Sequence, residues 1–339
     1  MVTLKDIAAE AKVSVMTVSN VVNGKLSKVS KEKAAEIQRL LRKRNYVQNA
    51  SARSLAKANS NIVAIMLRSI GNENSLSSPH NATLVGIVIQ RVQALGYYAM
   101  VSLVETKEDI ARNLRTWSAR GAIFLGMFDD EIEQIDSLAK IPMVFIDSYS
   151  NVRQICSVGI DDYKGGALAA GCLLQNGHRR LAFVSPPDVD NGVVHHRWSG
   201  FADTLAQNCI TPERIRRFVL ASDNDPAAAS DTIDRLVELR GEITAVFATS
   251  DQLASCLIGG LSKRGLRIPD DLSIIGFDDM LICTQIYPSL TTIAQDLNQK
   301  AVLAVEILQR QMENPSAPAE VRVLDVRLVE RGTVRGLGE

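Results

Sequence analysis

The sequence predicts an all-α helix-turn-helix headpiece joined to an α/β body of two lobes, each built on a parallel sheet. Three observations lead there. The first sixty residues show only helix-period apolar stripes. From residue 62 onward, short apolar runs alternate with amphipathic stretches, the signature of strands and helices in turn. The charge is also divided between the two parts. The chain holds 38 Lys and Arg against 38 Asp and Glu, yet residues 1–59 carry twelve basic and only four acidic side chains. The remainder has 26 basic and 34 acidic residues. A basic head on an acidic body points to a polyanionic partner for the head alone.

In the head, Leu4, Ile7, Ala8 and Ala11 mark one face of a first helix. Ser14 can cap a second, running from about Val15 to Asn23, which Gly24 stops. At about 100° per residue, Val18, Val21 and Val22 cluster on one side of it, and Met16, Ser19, Asn20 and Asn23 on the other. Only Lys12, Val13 and Ser14 separate the two helices, and small Ala8 and Ala9 permit close approach. This is helix-turn-helix spacing, in which the second helix fits the major groove of a duplex. Ser30 can cap a third helix with Ala34, Ile37 and Leu41 inside and Arg39, Arg42, Lys43 and Arg44 near its end. The spacing also fits a small protein-binding bundle; the surplus charge and the strip of short polar groups favour DNA.

In the body, Ile62–Leu67, Tyr97–Ser102, Ala122–Leu125, Met143–Ile146 and Cys156–Ile160 read as buried strands, with helices near 82–95, 107–119 and 131–140. Leu181–Val184, Arg217–Leu220, Ala245–Ala248 and Ser273–Phe277 continue the alternation. So many short strands suit two sheets rather than one, and a ligand belongs between two such lobes at the carboxyl ends of the strands.

Other classes are disfavoured. At 46% apolar and 22% charged the chain is neither fibrous nor wholly disordered, and no run reaches the 18 apolar residues of a membrane span. The start lacks an apolar export signal, and five cysteines without a Cys-x-x-Cys pair suit a reducing cytoplasm. There is no Gly-x-Ser-x-Gly elbow and no phosphate loop. Gly165-Gly166 opens a helix and reads as packing. His195 and His196 are adjacent, so on a helix they would not share one face for a metal. No catalytic residue, cofactor or metal is expected.

The stretch Thr3-Leu-Lys-Asp-Ile-Ala-Ala-Glu-Ala-Lys-Val-Ser-Val-Met-Thr-Val-Ser-Asn-Val-Val-Asn-Gly24 closely resembles the headpiece of the lactose-repressor (LacI/GalR) family of bacterial transcription regulators. The likeness continues through Val29-Ser30, Asn45-Tyr-Val-Gln-Asn49 and Ala52-Arg-Ser-Leu55. In the body it includes Val158-Gly-Ile-Asp-Asp162, Gly177-His-Arg-Arg-Leu181, Arg197-Trp-Ser-Gly-Phe201, Ile275-Gly-Phe-Asp-Asp279 and Pro288-Ser-Leu-Thr-Thr-Ile293. The resemblance implies a periplasmic-binding-protein-like core. It divides the chain into a headpiece at 1–48, a hinge helix and linker at 49–60, and a core at 61–339. Within the core, the first lobe would take about 61–160 and 291–318, and the second about 161–290 and 319–331.

The same resemblance implies the site residues. Val15, Met16 and Asn20 would approach base edges, with Thr3, Ser14, Thr17, Ser19, Asn23 and Ser30 in the same DNA-binding set. Asn49, Ala52, Arg53 and Leu55 belong to the hinge, with Leu55 as a wedge in the minor groove. An eight-residue hinge helix is too short to be stable alone, so it should order only against a dimer mate and DNA. Asp147, Arg197 and Asp278 match effector-contacting positions. Their chemistry suits that role, because carboxylates accept from hydroxyls or ring N–H groups and a guanidinium donates a fork of bonds. An ion pair between the lobes is the lesser alternative for Arg197, and His80, near the entrance, is the weaker candidate. Ser250 stands where sugar-responsive members often have asparagine.

Three further residues depart from the family pattern: Asn20 where arginine is common, Lys12 for the usual turn glycine, and Gln48 for a proline. The expected partners are pseudo-palindromic double-stranded operator DNA, a small-molecule effector and a second copy of the chain, with no membrane. The expected effector is a sugar or sugar derivative, with a purine, nucleoside or other non-sugar corepressor as the alternative and, more distantly, a small-molecule binding protein without a DNA role. The tail from Arg331 has no heptad repeat, so a homodimer is expected rather than a tetramer.

Overall fold

The structure is a computed structural model and describes residues 2–46, 60–69, 75–127, 131–132, 135, 140–148, 155–187, 192–211, 219–222 and 229–338. The chain forms two units, Met1–Ser60 and Asn61–Glu339.

The head contains α1 (Leu4–Glu10), α2 (Val15–Val22) and α3 (Lys31–Lys43). Each begins at a hydroxyl cap that satisfies an otherwise orphaned backbone donor. Thr3 forms a reciprocal capping box with Asp6, Ser14 Oγ accepts from the Thr17 N–H at 3.1 Å, and Ser30 Oγ accepts from the Lys33 N–H at 3.4 Å. Ile7, Val18 and Ile37 meet in a core with no exposure, each contributing about 1.5–3 kcal/mol by leaving water. The inner stripe of α3 runs through Leu40; Leu41, expected there, is only half-buried, as is Val22 on α2. Lys12 holds a φ of 53°, the left-handed turn its position demands of a side-chain-bearing residue. Asn49, Ala52, Arg53 and Leu55 lie outside the described residues.

The body runs β1 (Ile62–Arg68), α4 (Pro79–Ala94), β2 (Tyr98–Val104), α5 (Lys107–Thr116), β3 (Gly121–Leu125), β4 (Met143–Ile146) and β5 (Ser157–Ile160). It continues with α6 (Asp162–Gln175), β6 (Leu181–Ser185), α7 (Gly192–Gln207), β7 (Val219–Ala221), α8 (Ser230–Glu238), β8 (Ala245–Ala248), α9 (Asp251–Lys263) and β9 (Ser273–Asp278). The last elements are α10 (Ile282–Gln285), β10 (Thr291–Ala294), α11 (Leu297–Glu313), β11 (Val321–Leu324) and β12 (Arg327–Val329). These strands form two six-stranded sheets, ordered β11-β5-β4-β3-β1-β2 and β12-β10-β9-β8-β6-β7. Every pairing is parallel except β10 with β12. Helices cover both faces, so β3, β4, β6, β8 and β9 are buried along their whole length.

The expected limits of the lobes require correction. Thr291–Ala294 belongs to the second sheet, in register with Ile275–Asp278, and Val321–Leu324 belongs to the first, beside Ser157–Ile160. The chain therefore crosses between lobes at about 161, 295–296 and 325–326, not at 290 and 318. The physical reason lies in the caps. Asp161 and Asp296 start α6 and α11 by accepting from the Lys164 and Gln299 N–H groups, so the first two crossings end where a helix begins, while the third leads directly into β12.

Candidate functional site between the lobes

Three of the four predicted effector residues stand where strands end. Asp147 follows β4, Asp278 closes β9, and Ser250 follows β8 after Thr249. Arg197 comes from α7, which packs on α6 at glycine contacts. A Cβ on Gly166 would lie 1.9 Å from the Arg197 carbonyl oxygen, and one on Gly200 would lie 1.8 Å from that of Tyr163. The Gly165-Gly166 pair is thus a packing device. Gly165 faces the Phe277 ring, over which the Arg197 guanidinium lies, 3.6 Å from the centroid.

Arg197 is buried. Its Nε donates to Asp162 Oδ1 at 2.7 Å and its Nη1 to the Thr249 carbonyl at 2.7 Å. Both partners belong to the second lobe, so this pair ties α7 to its own lobe rather than bridging the two. Burial works against the guanidinium charge, but Asp162, Asp278 and Asp147 raise its pKa further still. Ser250 caps α9 through the Leu253 N–H at 3.1 Å, directly after the carbonyl that Arg197 contacts.

Asp147 adopts a φ of 51° and Asp278 one of 118°, unusual for residues with side chains and concentrated here at the mouth of the strands. Asp147 is gripped by Lys300, whose Nζ lies 2.7 and 2.9 Å from its two carboxylate oxygens. Burial pushes the Asp147 carboxyl up, but Lys300, His80 and Arg197 together hold it below its ordinary value. Lys300 Nζ also donates to Gln295 Oε1 at 2.5 Å, and Gln295 Nε2 donates to Asp278 Oδ1 at 2.6 Å. His80 Nδ1 sits 3.1 Å from Asn81 Oδ1, while its buried Nε2 has no hydrogen-bond partner among the described residues.

Behind Asp278, Asp251 is fully buried. It accepts from Thr292 Oγ1 at 2.5 Å and from the Met280 N–H at 2.7 Å. Burial and the nearby Asp278 charge push its carboxyl up to about 7, against the lowering effect of these hydrogen bonds. A cavity of about 520 Å³ opens at the two later crossings, walled by Thr83, Asp278, Met280, Gln295, Asp296 and Asp325 among others. It meets the predicted set only at Asp278.

Lys300, Gln295, Asp162 and Asp251 were not among the predicted residues. Lys300 had a readable signal, because Leu297, Lys300, Ala301, Ala304 and Leu308 share the helical spacing of one buried face. A lysine on such a face needs a partner.

On α2, Met16 is 70% exposed and Val15 40%, while Ser19 and Asn20 are half-buried. Asn23 Nδ2 bonds back to the Ser19 carbonyl at 2.8 Å. The Ser14 and Thr17 hydroxyls lie 2.9 Å apart at the helix start. The outward surface of the helix is therefore apolar at its first turn and amide-bearing beyond it. Of the nearby basic groups, Lys33 and Arg44 are spent internally, on the Ala11 carbonyl and on Glu10. Among the described residues no group of His, Cys, Asp or Glu could hold a metal, and no helix is long and apolar enough to cross a membrane.

Comparison with known proteins matches residues 3–49 to the family described as bacterial regulatory proteins, lacI family, and residues 170–334 to a periplasmic binding protein-like domain. The ribose operon repressor of Halalkalibacterium halodurans is 30% identical, covering 99% of this chain and 98% of that protein. The crystal structure of the lac repressor dimer bound to operator and the anti-inducer ONPF superposes with a TM-score of 0.84 at 26% identity, covering 98% and 99% of the two chains. A LacI family transcriptional regulator from Enterococcus faecium with bound ribose gives a TM-score of 0.71 at 26% identity, over 81% of this chain and all of that one.

Proposed function

Because this chain belongs to the lacI family of bacterial regulatory proteins, we propose that it is a sequence-specific transcriptional repressor whose hold on operator DNA is set by a small metabolite bound between its two lobes. One observation supports this above the rest. A capped helix-turn-helix with an exposed Val15 and Met16 precedes a body in which Asp147, Arg197 and Asp278 converge from separate elements.

Two heads, one from each copy of a homodimer, occupy the half-sites of a pseudo-palindrome, following two-fold symmetry. Lysine and arginine supply salt-sensitive phosphate affinity, while α2 and the hinge with its Leu55 supply sequence choice. The effector alters the angle between lobes and so the spacing of the paired hinges, a coupling typically worth about 1–3 kcal/mol. Asp147 and Asp278 accept from its donors and Arg197 donates to its oxygens, with Ser250 beside them. We read this as a binding site, in keeping with relatives that are transcriptional repressors.

A sugar is the first effector to test, since the relatives above include a ribose operon repressor and a regulator with bound ribose. The experiment is a thermal-shift panel of D-ribose, other pentoses, hexoses, disaccharides, sugar acids, nucleobases and nucleosides. A true effector raises the melting midpoint of the wild type, because it binds the folded state. A response confined to nucleobases or nucleosides would transfer the site to a purine-type corepressor.

A further inference from the structure

Lys300 has no solvent exposure, although it lies beside a cleft. A buried ion pair is a poor device for stability, since apolar residues of similar volume serve as well or better. Its value must lie in what it orients. The three N–H bonds of an ammonium match three acceptor atoms here: both oxygens of Asp147 and the side-chain oxygen of Gln295. With its oxygen fixed by a cation, the Gln295 amide must turn its NH₂ group outward, where it meets Asp278. Asp147 belongs to the first lobe and Asp278 to the second, and Gln295 lies on the segment that crosses between them.

We infer that Lys300 is a positioning residue of the cleft, tying Asp147 of one lobe and, through Gln295, Asp278 of the other into a connected pair of acceptors whose charge and spacing it sets. This rests on the effector reading for its meaning, but the test uses neither effector nor DNA, so the two can fail separately. The basic groups facing Asp147 are Lys300 from α11, His80 from α4 and Arg197 from α7. Replacing Lys300 by methionine leaves the other two in place and deprives a buried carboxylate of its nearest cation. The Asp147 carboxyl then rises in pKa, and the folded state is penalised increasingly as pH climbs.

The test measures melting midpoints of the full chain from pH 4.5 to 8 for wild type, Lys300→Met, Asp147→Asn and the double variant. The deficit of Lys300→Met against wild type should widen as pH rises. The deficit of the double variant against wild type should stay nearly flat, because both members of the ion pair are gone while His80 and Arg197 are unchanged. Lys300→Gln, which keeps a donor without the charge, gives the same widening if the methionine variant does not fold. A deficit independent of pH would reduce Lys300 to packing and overturn the inference.

The second leg of the relay is read by combining Lys300→Met with Asp278→Asn, or Lys300→Gln with it if the methionine variant does not fold. The two side chains share no hydrogen bond or ion pair among the described residues, yet their midpoint shifts should be non-additive, and additive once Gln295→Leu cuts the relay. Additivity with Gln295 intact would overturn the link between the lobes.

Discussion

Arg197 and Phe277 form the tightest charge-to-ring contact at the site, the guanidinium carbon lying 3.6 Å from the ring centroid. The stacked plane fixes the direction of the remaining N–H groups, which a lysine could not reproduce. Arg197→Ala is expected to abolish the effector-induced rise in melting midpoint while leaving operator affinity without effector unchanged. It also leaves Asp162 buried without its cation, at a cost of about 3–5 kcal/mol. Fluorescence anisotropy with a labelled operator, beside the thermal-shift panel, separates the two effects. Loss of operator affinity together with effector response would show that Arg197 acts elsewhere.

The glycine contact between α6 and α7 gives a second prediction. Gly166→Ala sets a methyl group against the Arg197 carbonyl at a distance no real contact adopts, so the helices must separate. Overpacking of this kind costs about 1–3 kcal/mol or more. The variant should melt several degrees lower and respond to effector weakly, because Arg197 moves with its helix. Gly171→Ala on the same helix, where a Cβ meets nothing within 4 Å, should melt at or slightly above wild type.

The Asp251 carboxyl, pushed up to about 7, predicts a particular pH dependence. Its folded value lies above its unfolded one, so its contribution to stability is complete below about pH 4 and is lost as pH rises through about 7. Asp251→Asn keeps one acceptor oxygen beside Thr292 and the Met280 N–H but removes the titrating group. The variant should therefore fall below wild type by more at pH 5 than at pH 8, as read by melting midpoints. An equal deficit at both would mean that Asp251 does not change its ionisation between pH 5 and pH 8.

The fold was legible in the sequence wherever one physical signal dominated. Unbroken apolar runs such as Ala245–Ala248 and Ser273–Phe277 placed the buried strands to within a residue. Hydroxyls at Ser14 and Ser30 placed two helix starts. Strand Thr291–Ala294 carried no such run, since its two threonines are buried by hydrogen bonds to Asp251 and to the Thr333 and Arg331 segment rather than by apolarity. Edge strand Val321–Leu324, exposed along most of its length, was equally silent, and with it the true crossing points. The same limit applies to the site. Asp147, Arg197 and Asp278 were named from family motifs, but their partners Lys300 and Asp162 are far away in sequence and meet them only through the fold.

Asn20 predicts an altered operator. Its side chain is half-buried on α2 and makes no hydrogen bond among the described residues, so its amide is available to a base edge. Asparagine pairs with adenine in the major groove and arginine with guanine. Asn20→Arg should shift the preferred base pair at one position of each half-site from A·T toward G·C, by about 1–3 kcal/mol of discrimination. Selection from a randomised duplex pool reads this directly; an unchanged consensus would remove Asn20 from the base-reading set.

The central claim is that occupancy of the cleft decides whether the head keeps its operator. It is tested most directly by titrating a selected operator duplex with the full chain at fixed low salt, with and without the metabolite that raises the melting midpoint. The account predicts that saturating metabolite changes operator affinity by about 5–150-fold while binding to unrelated duplex barely moves. Equal operator affinity with the cleft filled and empty would contradict it.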